Sequence, residues 1–431
     1  MASGVRVALA LESTAPHLAA AFGVWRAGGV LVPLDPRLRP SEAEAIVGRA
    51  RAAFLLRVDG ATGERRLEAL ASPVAADGER PPCSDDVAVV ASTSGTTGEP
   101  KGVLLSHANL LWAATAVART RGDRPQSVAA VLSPISHTPV FVSHFLARLL
   151  SGGTVVLARF DAERVAELLR EHGVTDLPLV PAMVEPLLGS DVRARLETIT
   201  IGSATTSMEA KRALAERFPG ARIVEAYGQT ESTDGLTMTT GREALERPGT
   251  VGRAHALLAV AVRGRGGHLC GPGETGEVVA RGPTVMRGYD GDPAATADAL
   301  RDGWLHTGDL GALDEDGFLF LRGRLREVIR SGGETVSPSE VEAVLARHPA
   351  VIEVAVFGVP DPRWGERVAA AVVARAPLSE EDLREFARPH LAPFKLPRAL
   401  LRLERLPRTA AGKVRRSELR VALERYASGS S

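Results

Sequence analysis

Residues 87–114 read VAVVASTSGTTGEPKGVLLSHANLLWAA. VAVVA is an apolar run of strand length, and VLLSHANLLWAA is read as the start of a helix. Between them, Ser92 to Gly102 crowd together glycines, hydroxyls and Lys101. Such a loop wraps phosphates with backbone N–H groups, hydroxyl donors and one cation, so a nucleoside triphosphate is the expected ligand. A Walker loop needs Gly-Lys followed by Ser or Thr, whereas Lys101 stands between Pro100 and Gly102. The loop is of another kind. Its bland alternative is a flexible linker, but linkers seldom set a lysine after such a run.

Outward from this loop, Val- and Leu-rich runs alternate with stretches of helical period, as in TVVLA followed by DAERVAELLREHG at residues 154–173. That alternation predicts an α/β fold: a large N-terminal domain with mostly parallel sheets flanked by helices. The helix of this example is expected to begin near Asp161 and end at Gly173. From Gly249 to Phe320 short apolar pieces are punctuated by Gly and Pro (GTVGRA, GETGEVVARGP, GFLFLRGR), which predicts a β-rich subdomain. Beyond it, SPSEVEAVLARHP, VIEVAVFGVP, RVAAAVVAR and SEEDLREFARPHL supply the helices and strands of a small mobile α+β domain. The expected boundaries are 1–324 for the first domain, with the β-rich part at about 249–324, then 325–426 and a tail at 427–431.

Composition removes several function classes. Fifty-two basic side chains balance fifty-two acidic ones, which leaves no field to attract nucleic acid or an anionic membrane. Cys83 and Cys270 are the only cysteines and stand far apart with no CxxC or Cys/His cluster, so neither a disulfide framework nor a zinc site is expected and a reducing cytoplasm is the expected location. No apolar stretch reaches the roughly 18 residues of a membrane helix, and the opening residues do not read as a signal peptide. Only four basic residues are lysine (Lys101, Lys211, Lys395, Lys413), so each merits inspection. Lys211, in MEAKRALAERF, is expected on the solvated face of a helix. Lys395, in LAPFKLP, is open between a phosphate contact and plain surface charge.

The stretch at 92–102 resembles the phosphate-binding signature of the adenylate-forming superfamily, which contains acyl-CoA synthetases, peptide-synthetase adenylation domains and luciferases. Four further segments resemble that family's motifs in order: Tyr227-Gly228-Gln229-Thr230-Glu231, Gly303-Trp304-Leu305-His306-Thr307-Gly308-Asp309, Gly323-Arg324-Leu325-Arg326-Glu327, and Pro407-Arg408-Thr409-Ala410-Ala411-Gly412-Lys413. The resemblance implies that Thr93, Ser94, Gly95, Thr96, Thr97, Gly98 and Lys101 hold the phosphates, and that Gly202, Ser203 and Ala204 with Tyr227 and Gly228 form the adenine pocket. It implies Glu231 as the carboxylate for Mg²⁺, Thr230 on the α-phosphate, and Asp309 with Arg324 at the ribose. Each role suits its chemistry, since a carboxylate is a hard ligand for Mg²⁺ and a second one accepts from a diol. Lys413 is implied as the catalytic residue, a compact charge on a long stem that stabilises the entering and bridging oxygens when a carboxylate attacks the α-phosphate. Arg326 lies at the family's hinge, where the C-terminal domain rotates between an adenylating arrangement that brings in Lys413 and a thiol-acylating one that brings in Ser331 to Glu334.

The acyl site is less explicit. By the resemblance His137, in PISHTP, falls at the pocket mouth, where gating the entry, positioning the carboxylate and a purely structural role stay open, with Gly202 and Gly228 in the pocket wall and Ile201, Ser232, Val140 and Phe141 near by. No Asp falls between Ser133 and Ser143 to pair an α-ammonium, which speaks against an amino acid, and the small apolar set suggests an aryl or medium aliphatic acid. The expected reaction is ATP-dependent activation of a small carboxylic acid to an acyl-adenylate with loss of pyrophosphate, then transfer to CoA. Transfer to the phosphopantetheine of an acyl carrier protein or to another nucleophile, a luciferase-like oxygenase, and a nucleotide sensor without turnover stay open, as do the acid and the oligomeric state. Full-length relatives carry a further helix and strand before the segment resembling residues 5–36, so either a compact variant or a trimmed start is expected.

Overall fold

The computed structural model describes residues 4–10, 12–58, 62–70, 83–92, 101–202, 206–325, 327, 329–331, 334–408 and 414–427. Its contacts divide the chain into two compact units. One comprises 1–261, 279–307 and 313–320, and the other 262–278, 308–312 and 321–431.

The first unit is built on two seven-stranded sheets. One runs in spatial order Gly288–Tyr289, Gly102–Ser106, Val87–Ser92, Val30–Leu34, Arg6–Ala10, Phe54–Val58 and Arg65–Ala69. Its central pairings are parallel, and antiparallel strands close both edges. The other runs Arg253–Ala254, Gly235–Met238, Arg222–Gly228, Thr198–Ile201, Asp176–Leu179, Val128–Val131 and Thr154–Leu157, parallel except at its first two pairings. The strands VAVVAS, TITI and DLPL are buried along most of their length without alternation, as strands covered on both faces must be. The helices Ala15–Arg26 and His107–Arg121 pack on the first sheet through Leu18, Trp25, Leu110 and Val117, and that core also takes in Val224 and Met238 from the second. A third, five-stranded sheet, not confined to the first unit, is made by Ala259–Arg263, Gly276–Arg281, Trp304–Leu313, Leu300–Arg301 and Leu319–Arg324.

In the second unit the long hairpin Val351–Asp361 and Gly365–Ala374 carries Ile329–Ser331, Glu334–Val336 and Leu400–Arg402. One face is covered by Pro338–Leu345 and Glu380–Ala387, and the other by Arg416–Ala427. The α/β reading of the chain and the α+β reading of its C-terminal part therefore hold.

Three local expectations are corrected. Gly102–Ser106 does not open a helix; it is a strand antiparallel to Val87–Ser92, and the helix starts only at His107. Val103 and Leu105 are fully buried, so the apolar GVLLS is used as sheet and the loop at 93–100 joins two antiparallel strands. The helix expected from Asp161 spans Val165–Glu171. Asp161 instead forms a side-chain turn, its Oδ1 accepting from the Glu163 N–H at 3.0 Å while its carbonyl accepts from Val165 at 2.9 Å. Lys211 is buried, not solvated. It pairs with Glu225 of Arg222–Gly228, because Lys211, Leu214 and Phe218 share the core-facing stripe of their helix.

Candidate functional site

The site is assembled from the segments that flank the 93–100 loop. Ser106 caps the helix His107–Arg121 in a reciprocal arrangement, its Oγ accepting from the Asn109 N–H at 3.1 Å while Asn109 Oδ1 accepts from Ser106 N–H at 2.9 Å. The Asn109 amide then donates to the carbonyls of Pro283 and Val285, at 2.7 and 2.9 Å. This buried asparagine ties the start of the helix to residues 283–290. Along the same stretch Met286 N–H donates to the Glu231 carbonyl at 2.9 Å, and Gly288–Tyr289 adds as an edge strand to Gly102–Ser106.

Three chemical groups meet as a result. The Tyr289 hydroxyl donates to Glu231 Oε1 at 2.9 Å. The Lys101 ammonium lies over the Tyr289 ring, 4.8 Å from its centroid, and 4.0 Å from Asp292 Oδ2. Next to Tyr289, Asp290 accepts both guanidinium nitrogens of Arg6 at 2.7 and 2.8 Å, which pins this segment to the first strand of the sheet. A cation, a phenol and a carboxylate are thus held at the edge of one sheet. Glu231 sits in the one-turn helix Thr230–Ser232, which follows the bulge at Tyr227/Gly228. Among the described residues its Oε2 carries no protein hydrogen bond. Hard oxygen donors of this kind fit Mg²⁺.

Tyr227 and Gly228 close the strand Arg222–Gly228, with Tyr227 half-buried. Gly202 follows the neighbouring strand Thr198–Ile201, and a Cβ on it would lie 3.7 Å from the Ala226 carbonyl. Gly228 admits no side chain at all, since a Cβ would stand 2.1 Å from the Asp234 carbonyl oxygen. Gly202, Tyr227, Gly228, Thr230 and Glu231 are therefore brought together. His137 opens the helical turn Val140–Leu146 through its carbonyl, which accepts from Phe141. Its charge is felt by Asp35, which burial pushes up but which Arg37 and His137 hold below the usual carboxylate range.

Asp234 is buried and accepts from the Ser143 hydroxyl. Burial pushes its carboxyl up to about 7, against the pull of Ser143, the Gly235 N–H and Arg121.

In the second unit Asp309 is buried and pairs through Oδ1 with Arg324 Nε at 3.0 Å. Lys395 pairs with Glu340 at 2.5 Å, and Arg416 bridges Glu327 and Glu342 at 2.8 Å each. Thr93, Ser94, Gly95, Thr96, Thr97, Gly98, Ser203, Ala204, Arg326 and Lys413 lie outside the described residues. Sequence reasoning missed Tyr289 and Asn109. The signal for Tyr289 was its rarity, since the chain has three tyrosines and only Tyr227 carried a motif.

The family model described as AMP-binding enzyme matches residues 1–290, and that of the AMP-binding enzyme C-terminal domain matches 340–413. The chain belongs to the AMP-binding enzyme family. Among the relatives of this AMP-binding enzyme is a feruloyl-CoA synthase of Amycolatopsis sp, 36% identical over 97% of the chain and 88% of the relative. A 2-succinylbenzoate–CoA ligase of Bacillus licheniformis is 37% identical over 78% of the chain and 70% of the relative. In structure, the o-succinylbenzoate CoA synthetase of Bacillus subtilis, solved with its acyl-adenylate intermediate, superposes with a TM-score of 0.86 at 29% identity, covering 97% of this chain and 88% of that one. ATP-bound MatB from Rhodopseudomonas palustris gives 0.85 at 29% identity, covering 100% and 90%. The relatives are AMP-forming acid–CoA ligases, and the AMP-binding enzyme is of that kind. Among the described residues no helix is long and apolar enough to cross a membrane.

Proposed function

We propose that the AMP-binding enzyme activates an aryl or medium aliphatic carboxylic acid as its acyl-adenylate and passes the acyl group to CoA. The observation that carries this reading is the meeting of Lys101, which follows the glycine-rich stretch in sequence, with Tyr289 and, through it, Glu231. A triphosphate needs a cation along its oxygens and a hard carboxylate for its Mg²⁺, and this edge of the sheet offers both. Mg²⁺, when bound, neutralises phosphate charge. Glu231 holds it, and the Tyr289 hydroxyl fixes the orientation of that carboxylate.

In the first half-reaction a carboxylate oxygen of the acid bonds to the α-phosphorus, the bond to the bridging oxygen breaks, and pyrophosphate leaves. In the second the CoA sulfur bonds to the acyl carbon and AMP leaves. Adenylation replaces a poor leaving group with a good one. We assign charge stabilisation in the first step to Lys413, the adenine to Tyr227 with Gly202 and Gly228, the ribose to Asp309 and Arg324, and the turn between half-reactions to Arg326. The domain boundary at 324/325 belongs to the same proposal.

An aryl acid is favoured by the small apolar set around Val140 and Phe141, and by relatives named for feruloyl, indoleacetate and succinylbenzoate substrates. The test is incubation with ATP, Mg²⁺, CoA and a panel of aryl, aliphatic, dicarboxylic and amino acids, with products identified by mass. An aryl- or alkanoyl-CoA, with AMP and pyrophosphate in equal amounts, is the expected result. Formation of ADP, or of no thioester with any acid, would overturn it.

A further inference from the structure

The geometry points to a second, unrelated site: we propose that His268, Cys270 and Glu274 bind a divalent transition metal of the Zn²⁺ type at the tip of the hairpin formed by residues 262–278.

The backbone builds the constellation. Gly264 N–H donates to the His268 carbonyl at 3.0 Å and Cys270 N–H to the Val262 carbonyl at 2.9 Å, so residues 268–270 run as a short antiparallel return with Arg263 opposite Leu269. On such a return, alternate side chains share a face. His268 and Cys270 therefore point one way, while Leu269 goes to solvent, 62% exposed. A tight turn, closed by Glu274 N–H to the Gly271 carbonyl at 3.1 Å, brings Glu274 back to the same face. One imidazole nitrogen, one sulfur and one carboxylate oxygen then lie within 4.8 Å of one another.

Two glycines leave room for the donors. A Cβ on Gly264 would stand 2.3 Å from His268 Cε1, and one on Gly276 would stand 2.3 Å from the Arg263 carbonyl oxygen and 3.0 Å from Cys270 Sγ. Imidazole and thiol thus rest where side chains on the facing strand would be. Glu274 is oriented from behind, its Oε2 accepting from Gly271 N–H at 3.1 Å. Its Oε1 stands 2.9 Å from His268 Nε2. Nitrogen and oxygen ligands of one tetrahedral Zn²⁺ lie about 3.3 Å apart, so the metal would take the place of the shared proton after a small opening of the pair. Thiolate, imidazole and carboxylate together suit Zn²⁺ or Co²⁺ and not Mg²⁺ or Ca²⁺. Three protein ligands leave the fourth position to water.

The test is titration of the metal-free, untagged enzyme with Co²⁺, read by sulfur-to-cobalt charge transfer and the visible d–d bands, followed by displacement with Zn²⁺. The expected result is one equivalent bound in the parent and in Cys83→Ser, at least tenfold weaker binding in His268→Ala, and no charge-transfer band in Cys270→Ser. The proposal is overturned if the parent shows no band, if the band survives Cys270→Ser or disappears in Cys83→Ser, or if His268→Ala binds within threefold of the parent. In that case His268 and Glu274 form an exposed ion pair and nothing more. All three variants are expected to keep their acyl-CoA activity, which shows that they are folded.

Discussion

Tyr289 joins the two charges of the site, since its ring faces Lys101 and its hydroxyl binds Glu231. Tyr289→Phe keeps the ring and deletes one hydrogen bond to a charged group, worth about 1.5 kcal/mol. The expected outcome is a fall of about tenfold in kcat/KM for MgATP with an unchanged melting temperature; unchanged kinetics would remove Tyr289 from the site. Asp234 offers a pH experiment. Its carboxyl is held at about 7 in the fold, well above the ordinary carboxylate range of the unfolded chain, so between those limits the folded protein binds more protons than the unfolded chain. Its contribution to stability therefore falls as pH rises through that window. Asp234→Asn should gain stability relative to the parent from pH 4 to pH 7 in paired denaturation curves, and a difference independent of pH would contradict the assignment. Neither residue was legible beforehand, because Tyr289 lies in no motif read from the sequence and Asp234 meets Ser143 only through the fold. Lys211 was legible and was misread. Its spacing from Leu214 and Phe218 places it on the buried stripe, but the residue type argued for solvent. Lys211→Met should cost about 3 kcal/mol by stranding Glu225, and a second change of Glu225 to Met should recover most of it.

Among elements, the strands and helices that frame the site followed from apolar runs and caps, whereas the junctions between them did not. VLLSHANLLWAA reads as a helix start, yet the helix begins only at His107, where Ser106 caps it. What the sequence could not reveal is that the residues just before it find two partners, Val87–Ser92 on one side and Gly288–Tyr289 on the other. Strand pairing over nearly two hundred residues leaves no local trace. The consequence for function is direct, for the strands on either side of residues 93–100 belong to the sheet whose edge carries Tyr289. Asn109 fastens that edge by two hydrogen bonds to Pro283 and Val285 besides capping its own helix. Asn109→Ala should destabilise the enzyme by about 2 kcal/mol in urea unfolding. It should also weaken MgATP binding, since Tyr289 loses its anchor. A stable variant with normal ATP affinity would show that the anchor is dispensable.

For the whole molecule, five short motifs spread over more than three hundred residues identified the family, and the domain models and the relatives agree with them. The α/β architecture was equally legible, because alternating runs of strand and helix leave few other solutions. The acid was not, since a pocket assembled from separate segments leaves no contiguous trace in the sequence. The central claim is that the enzyme makes an acyl-adenylate before any thiol takes part. It is tested most directly by exchange of labelled pyrophosphate into ATP without CoA, in the presence and absence of an acid found to form a thioester. Exchange that requires the acid, and that falls at least a hundredfold in Lys413→Ala and Glu231→Ala, is the predicted result. Exchange that ignores the acid, or acyl-CoA formation without any exchange, would contradict it.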